Sequence, residues 1–244
     1  MKWLRAFGLL LLWQFMRMRN ELPILIVIQV ALATGIVYGM SFLIPDIDER
    51  SALFLATGAP TIGLLILGLT VVPQEVTRGR LTGMTEYIST LPVPRLAPPA
   101  AEIVFWILAQ LPGTVISLVV ATMRFGFEVH PKLVIAPVVF IVAFTGAAVG
   151  YALAMTLKPQ VAQQMASFLA IGVLLFSPIN FPAERLPEAL QAIHRVLPVK
   201  YMADLMRWGF TGGPAPDVSL AFTVVGAWCL LGILLSWRVA LRRK

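Results

Sequence analysis

The chain has 244 residues, of which 59% are hydrophobic and only 13% are charged, and its mean hydropathy is +0.86. A water-soluble domain of this size rarely reaches those values, so the composition argues against a soluble enzyme and predicts a helical protein that crosses a membrane several times. The formal net charge of +7 comes without a basic stripe interleaved with aromatic residues, so we expect no nucleic-acid partner. Basic residues that anchor helix ends at anionic lipid explain this charge better.

The first segment, residues 1–22, is short and amphipathic. Its apolar stretch is too short for a span, and no small-residue cleavage site of a signal peptide follows it. We predict a helix over residues 3–19 that lies in the membrane interface. Its apolar side chains would face the acyl chains: Trp3, Phe7, Leu11 and Phe15. Its basic side chains would face the headgroups: Lys2, Arg5, Arg17 and Arg19. An uncleaved signal anchor is the alternative.

Six apolar runs are long enough to cross the hydrocarbon core as helices. They cover residues 23–44, 53–72, 103–123, 133–157, 161–179 and 218–237. With these bounds, no run contains Asp, Glu, Lys, Arg or His. Carriers driven by ions need ionisable groups inside the membrane, so the runs disfavour an ion-driven mechanism. Two Gly-x-x-x-Gly pairs, Gly35 with Gly39 and Gly146 with Gly150, predict close helix packing.

The distribution of basic residues predicts the orientation. Six spans place both termini on the same side, and the segments on that side hold 12 Lys and Arg residues, against 7 on the other side. Because positive charge is retained on the cytoplasmic side, we expect both termini in the cytoplasm of a multi-pass protein of the plasma (inner) membrane.

The polar segment between the second and third runs, residues 73–95, predicts a short cytoplasmic helix that opens at Pro73 and stops at Pro92. Glu75 near its start suits the positive end of the helix dipole. Two interpretations are open. The helix is either a simple connection or an element that docks into a groove on a soluble partner through Glu75, Arg78 and Glu86. The proline-rich exit would make the link to the third span stiff.

The segment before the last run, residues 180–216, is too apolar for an ordinary loop and too broken for a span. Prolines divide it, and two helices fit between them, about 187–196 and 200–210. Each would be roughly 15 Å long, half a hydrocarbon core, which favours two re-entrant helices shielded from lipid by protein. Asp204 and Arg207, three residues apart, can pair on one helix face. Tyr201 and Trp208 are predicted interface anchors.

The chain lacks the residues of a nucleotide-hydrolysing or metal site. It has no G-x-x-x-x-G-K-[ST] loop, a single cysteine, Cys229, and only two histidines, His130 and His194, in different segments. We therefore expect no catalytic residue, metal or cofactor in this chain. If it transports a substrate, the energy must arrive from another protein through a cytoplasmic contact.

Two motifs resemble those of the type-2 ABC exporter permeases, the membrane subunits of ABC transporters for drugs, lipids and polysaccharides. The first runs from Glu75 through Arg78-Gly79-Arg80-Leu81 to Thr90-Leu91-Pro92-Val93 and is similar to the coupling segment of the family. Thr82-Gly83 stands where the family more often has an acidic residue. The second is Phe181-Pro182, Leu186-Pro187, Leu197-Pro198, Tyr201 and Arg207, before the last span. The interfacial helix and six spans fit the same family.

The resemblance implies an all-α permease that forms a homodimer, or a dimer with a paralogue, and binds two copies of a separate ATP-binding subunit, which would hold ATP and Mg²⁺. It implies that substrate passes between the first and fifth spans of the two chains. The implied partner-coupling residues are Glu75, Arg78, Arg80 and Glu86. The implied residues of an external re-entrant gate are Pro182, Pro187, Pro198, Tyr201, Asp204 and Arg207.

The predicted function is thus ATP-driven export of an amphipathic or hydrophobic, drug- or lipid-like substrate, because uncharged apolar residues dominate the spans. Export of a polysaccharide or glycolipid by a permease of the same class is an alternative. Two further alternatives are a membrane-embedded enzyme that acts on lipid, which would need convergent Asp, Glu or His residues at one depth, and a passive channel or scaffold, which would not need nucleotide.

Overall fold

The computed structural model of the chain describes residues 2–43, 48–126, 133–211 and 217–242. These residues form helices joined by short turns, without a strand. The helices are α1 (Lys2–Met18), α2 (Leu22–Leu43), α3 (Glu49–Ile66), α4 (Val72–Leu81), α5 (Met84–Thr90), α6 (Ala97–Phe125), α7 (Ile135–Thr156), α8 (Pro159–Phe176), α9 (Glu188–His194), α10 (Pro198–Thr211) and α11 (Val218–Arg242). A π-helical turn, Leu67–Val71, joins α3 to α4, and a 3₁₀ turn, Ala183–Arg185, precedes α9.

Six helices in the described part of the chain are long and apolar enough to cross a membrane, in agreement with the six predicted runs. The spans of α3 and α7 lie in the centre, with 78% and 72% of their most apolar windows buried. The spans of α2, α8 and α11 lie at the periphery, with 17%, 22% and 17% buried. Their outward apolar faces suit a lipid solvent, because lipid does not penalise exposed Leu, Ile and Phe.

The second span does not end where the coupling segment begins. The helix runs through the π-helical turn without a break, so Arg50–Leu81 forms one rod of 32 residues. Gly68 in that turn packs against the backbone of α7: a Cβ built on Gly150 would lie 2.0 Å from the Gly68 carbonyl oxygen. The pair Gly146 and Gly150 is thus the close-packing motif that the sequence predicts. Gly35 and its partner Gly39 have no atom within 4 Å of such a Cβ, so this motif makes no close contact with the described part of the chain.

One buried amide adds to the apolar packing of the peripheral helix α2 on the centre. The Nε2 atom of Gln29 donates to Thr114 Oγ1 at 3.3 Å and to the Gln110 carbonyl at 3.4 Å, both in α6. The side chain fits against two glycines, because a Cβ on Gly63 or Gly113 would meet it at 3.1 Å or 1.9 Å. A span without charge therefore gains a fixed position by a buried hydrogen bond between helices.

The prediction of a single polar helix after the second span is wrong in one detail. The segment forms two helices, α4 and α5, separated at Thr82 and Gly83. Gly83 has φ +75°, a left-handed conformation that glycine adopts without the strain of a Cβ. Thr82 Oγ1 donates to the Arg78 carbonyl at 2.9 Å, which satisfies one of the last carbonyls of α4. The break turns the segment into a helical hairpin.

The predicted orientation of the N-terminal helix is wrong for two of its four apolar residues. Leu11 and Phe15 pack against the buried core rather than facing outward, and the Phe15 ring meets the Phe105 ring of α6 edge-on at 4.9 Å. The outward apolar residues are instead Leu4, Leu9, Leu12 and Met16. An interfacial helix that also packs on a span needs two apolar stripes, and the sequence pattern alone does not say which stripe meets protein.

The two short helices predicted before the last span are present as α9, with 7 residues, and α10, with 14 residues. At a rise of 1.5 Å per residue they are about 10 Å and 21 Å long. α10 packs on α3, α7 and α11 and buries Met202, Leu205, Met206 and Phe210. Their insertion into a membrane as re-entrant helices stays a prediction.

Candidate functional site

The ion pairs of the described residues form two groups, one near each end of the rod formed by α3 and α4. The α4–α5 end consists of α1, α4, α5 and the first turns of α6. The α9–α10 end consists of α9, α10 and the first turns of α3, since Arg207 of α10 lies over the ring of Phe54 at 3.7 Å. The sequence-predicted coupling residues all lie at the first end, and the predicted gate residues all lie at the second.

At the α4–α5 end, Arg78 forms one ion pair with Glu75 within α4 and a second with Glu21, which follows α1. Arg78 Nη1 lies 3.5 Å from Glu75 Oε1 and 3.8 Å from Glu21 Oε1, at the turn between α1 and α2. The Glu75 side chain is only 15% exposed, whereas that of Arg78 is 64% exposed. Of the two, Arg78 is therefore the residue accessible to a second protein, and it also links α4 to Glu21. Glu21 is a member of this group that sequence reasoning missed, since it lies 54 residues before Glu75.

Arg80, at the same end, fastens α4 to the end of α7. Its Nη1 donates to the carbonyl oxygens of Leu157, at 2.7 Å, and Ala154, the last carbonyls of α7. A guanidinium at a helix C-terminus satisfies orphan carbonyls and complements the negative end of the helix dipole. Arg80 thus ties α4 to the turn between α7 and α8. The structure shows Arg80 as a brace between α4 and the end of α7. Its role as a contact to a partner stays a prediction.

The surface that projects from this end belongs to the hairpin between α4 and α5. Leu81 and Tyr87 are 62% and 61% exposed, and Glu86 beside Tyr87 is exposed as well. Large apolar and aromatic side chains exposed on a polar hairpin are typical of residues that insert into a pocket on a partner. Sequence reasoning found Glu86 but missed Leu81 and Tyr87. The sequence contains a signal for both residues, because Leu81 and Tyr87 are large apolar and aromatic residues within a mainly polar segment.

A cavity of about 290 Å³ lies behind this hairpin, between α1, α4, α5 and α6. Four charged residues line it: Arg17, Glu75, Arg95 and Glu102. Glu102 was overlooked because the third run was drawn from residue 103, whereas α6 begins at Ala97 and includes it. The expectation that the spans lack ionisable residues therefore holds for the drawn bounds but not for the helix as it exists.

At the α9–α10 end, the predicted pair forms and is mostly buried. Arg207 Nη1 donates to Asp204 Oδ1 at 2.8 Å, both side chains are 12% exposed, and Arg207 Nη2 donates to the Ile179 carbonyl at 3.0 Å. Burial raises the pKa of the Asp204 carboxyl, because the loss of water outweighs the attraction of Arg207. The pair fastens α10 to the end of α8 and, through Phe54, to α3.

The other residues of this end also pair internally. Tyr201 is buried and its hydroxyl donates to the Arg195 carbonyl at 2.9 Å, so it does not anchor at a lipid interface as predicted. His194 Nε2 lies 3.0 Å from the Phe176 carbonyl, and burial lowers the pKa of His194. Trp228 Nε1 donates to the Val196 carbonyl at 2.9 Å. His130 lies outside the described residues, and no cluster of three potential metal ligands occurs in the described part of the chain.

The three predicted prolines mark element boundaries at this end. Pro182 precedes the 3₁₀ turn, Pro187 precedes α9, and Pro198 is the first residue of α10. Proline suits these positions because its φ is fixed and its missing N–H is not needed there. The structure thus gives these residues a role in shaping the segment, and a role in gating stays a prediction.

Comparison with known proteins gives two matches. A model of the ABC-2 type transporter family matches residues 5–211, a range that contains both ends described above. Nodulation protein J of Neorhizobium galegae is 31% identical over 128 residues, which are 52% of this chain and 47% of that protein. The chain spans about half the length of the curated relative that it matches.

Proposed function

We propose that this chain, which belongs to the ABC-2 type transporter family, is the membrane-spanning subunit of an ATP-driven exporter. A separate ATP-binding subunit, present in two copies, would hold ATP and Mg²⁺ and perform the hydrolysis. The permease itself would be a homodimer or pair with a paralogue. It would lie in the plasma (inner) membrane with both termini in the cytoplasm, so that the α4–α5 end faces the ATP-binding subunit.

The observation that carries this proposal is the hairpin at the end of an uninterrupted helical rod. Leu81, Glu86 and Tyr87 project from it, whereas Arg80 fastens its base to α7. A rod of 32 residues transmits a displacement over its full length, provided that it does not bend. Movement of the ATP-binding subunits would therefore reach the central span as a rigid-body shift.

The outward face of α8 supports a path along this helix. Gln163, Gln164 and Ser167 are exposed there, on a helix that is otherwise suited to lipid. An amide that faces hydrocarbon without a partner costs free energy, so these groups belong against a second chain or a hydrated path. With the exposed apolar face of α2, they would form a passage for an amphipathic or hydrophobic substrate. Because amides bind hydroxyl groups well, the same residues favour a polysaccharide or glycolipid as the second candidate substrate.

Two other functions lack such support. A membrane-embedded enzyme for lipid would need convergent carboxylates or histidines at one depth. In the described spans Glu102 shares its cavity with one other carboxylate, Glu75, which lies 3.5 Å from Arg78, and no group of three His, Cys, Asp or Glu occurs among the described residues. A passive channel or scaffold would work without nucleotide, which the following experiment tests directly.

The test is co-purification of an ATP-hydrolysing protein with the tagged chain from native membranes. We expect an ATP-binding protein to accompany the wild type, and the Tyr87→Ala, Glu86→Lys double variant to retain several-fold less of it. The matched control is Glu188→Lys, an equally exposed charge on α9, which should retain the wild-type amount. Absence of any ATP-binding protein from the wild type, or equal retention by all three chains, would refute the proposal.

A further inference from the structure

The cavity behind the hairpin is lined by charged and by apolar side chains, a combination that contact with an ATP-binding subunit does not require. Its volume of about 290 Å³ approaches that of small-molecule sites. Side chains from both polar and apolar classes line it. The polar group includes Gln14, Arg17, Arg95 and Glu102, and the apolar group includes Trp13, Met84, Ile88 and Leu91. A cavity with these two kinds of wall suits an amphipathic ligand.

Two residues of the cavity wall each carry a buried hydrogen-bond donor that lacks a partner. Gln14 is 4% exposed, and its Nε2 atom makes no hydrogen bond within the described chain. The Nε atom of Arg17, one helical turn further, is buried and equally without an acceptor. The Arg17 guanidinium lies 5.2 Å from the centre of the Trp13 ring, which fixes its position beside the cavity. Because buried donors are normally satisfied, the two atoms point to an acceptor group that the ligand supplies.

The charges of the cavity constrain that ligand further. Arg17 and Arg95 are offset by Glu75 and Glu102. Glu75 is engaged by Arg78 at 3.5 Å, whereas Glu102 forms no ion pair within 4 Å among the described residues. A polyanionic headgroup would meet the unpaired carboxylate of Glu102 and be repelled. A group that carries one anion and one cation would satisfy both the donors and Glu102.

The position of the cavity indicates where such a group comes from. One wall of it belongs to α1. The outward side chains of α1, Leu4, Leu9, Leu12 and Met16, are exposed as in a helix that lies at a membrane surface. Glu102 lies in the first turns of α6, at the end of a membrane-spanning helix, which is the depth of lipid headgroups. Phospholipid headgroups are therefore the zwitterions most concentrated at this site.

We propose that this cavity binds the headgroup of a zwitterionic aminophospholipid. The phosphodiester accepts hydrogen bonds from Gln14 and Arg17, and the primary ammonium donates to Glu102. The bound lipid fills the space between α1 and the hairpin and fixes their separation. This inference requires only that the chain lies in a membrane, and it is independent of the proposed ATP-driven export.

The test is native mass spectrometry of the full-length protein released from nanodiscs of equal phosphatidylethanolamine, phosphatidylcholine and phosphatidylglycerol. We expect the wild type to retain phosphatidylethanolamine in preference to the other two, because a choline ammonium has no N–H to donate and phosphatidylglycerol has no cation. Glu102→Gln should lower the retention of phosphatidylethanolamine roughly tenfold, as the loss of a charge-assisted hydrogen bond does. Arg17→Gln should lower the retention of all three lipids. Arg19→Gln, an exposed basic residue of the same segment outside the cavity, is the matched control and should retain the wild-type pattern.

The outcomes separate the sources of the ligand. Displacement of the lipid by soluble glycerophosphoethanolamine would support recognition of the headgroup alone, and persistence of the lipid would support recognition of headgroup and chains together. Equal retention of the three lipids by the wild type, preference for phosphatidylglycerol, or identical patterns for Glu102→Gln, Arg17→Gln and Arg19→Gln would overturn the proposal. Since the assay contains no ATP-binding subunit, failure of the exporter proposal would leave its result unchanged.

Discussion

The ion pairs at the two ends of the molecule differ in length and in burial. At the α9–α10 end, Asp204, Arg207, Tyr201 and His194 form contacts of 2.8 to 3.0 Å with each other or with backbone carbonyls. At the α4–α5 end, the ion pairs of Arg78 are longer, 3.5 and 3.8 Å, and lie nearer to water. Both ends hold buried polar atoms without a partner in the described chain: Gln14 Nε2 and Arg17 Nε at this end, and Asn180 Oδ1, His194 Nδ1 and Arg207 Nε at the other.

The difference indicates which end is fixed by contacts within the chain and which end has ion pairs that can rearrange. Short buried bonds fix a segment, because separation of either partner strands a charge or a donor. Long, exposed ion pairs tolerate rearrangement at little cost. We therefore call the α9–α10 end the braced end, and the α4–α5 end, where we propose that a protein partner and a ligand bind, the receptive end.

The largest expected effect comes from the buried pair of the braced end. Arg207→Gln leaves the Asp204 carboxylate buried without its cation, and we expect a loss of about 3 kcal/mol or more in the free energy of unfolding. Thermal unfolding in detergent micelles measures the change. Arg195→Gln on α9, whose side chain is exposed, is the control and should leave the melting temperature unchanged. Adding Asp204→Asn to Arg207→Gln should recover part of the loss, and a double variant that is less stable than Arg207→Gln would contradict the brace.

The next effect concerns the helix that connects the two ends. Gly150→Ala places a Cβ 2.0 Å from the Gly68 carbonyl oxygen, so backbone must shift, and we expect about 1–3 kcal/mol of destabilisation. Gly39→Ala, where a Cβ meets nothing within 4 Å, is the matched control. Unfolding in the same detergent compares the two. Equal melting temperatures would mean that the rod is not held against α7 at this crossing.

Acid should weaken the braced end by a smaller amount. Burial lowers the pKa of His194 in the folded chain, so the unfolded chain binds a proton first as pH falls. The stability that the neutral ring contributes is complete above about pH 6.5 and declines as pH falls below it. Melting temperatures from pH 8 to pH 5 should therefore fall more for the wild type than for His194→Gln. Parallel curves for the two chains would show that His194 does not titrate between the two states.

The smallest effect on stability is expected at the receptive end. Glu21→Gln removes an ion pair of 3.8 Å between half-exposed side chains, so its cost should lie within about 0.5 kcal/mol. Charge reversal by Arg78→Glu should also permit membrane insertion, yet uncouple ATP hydrolysis from transport, because Arg78 is the exposed charge of the group. ATPase activity and transport measured together in proteoliposomes check this expectation. Unchanged coupling in Arg78→Glu would assign α4 a merely connecting role.

Periodic and compositional features were predictable from the sequence. Hydropathy predicted the six spans, and prolines predicted the two short helices α9 and α10. A spacing of three residues predicted the pairing of Asp204 with Arg207. The resemblance to type-2 ABC permeases is confirmed by the family match. These features depend on local chemistry, which a short window of sequence contains.

Features that depend on distant contacts were not predictable. Arg80 binds carbonyls 74 and 77 residues away, and Leu11 and Phe15 face inward because α6 covers that stripe. Glu102 was hidden by a span boundary drawn on hydropathy, which cannot say how far a helix extends beyond the hydrocarbon core. The break at Gly83 had a local signal, Thr82-Gly83, but a glycine near a helix end does not by itself distinguish a stop from a continuation.

The most direct test of the central claim is site-directed cross-linking of the receptive end to the ATP-binding subunit in native membranes. Cys229 is the only cysteine, so Cys229→Ser gives a background without thiols. A cysteine introduced by Tyr87→Cys should cross-link to the ATP-binding subunit, whereas Ile193→Cys, exposed on α9, should not. Cross-linking at residue 193 instead of 87, or at neither site while the subunit co-purifies, would contradict the assignment of the α4–α5 hairpin as the coupling element.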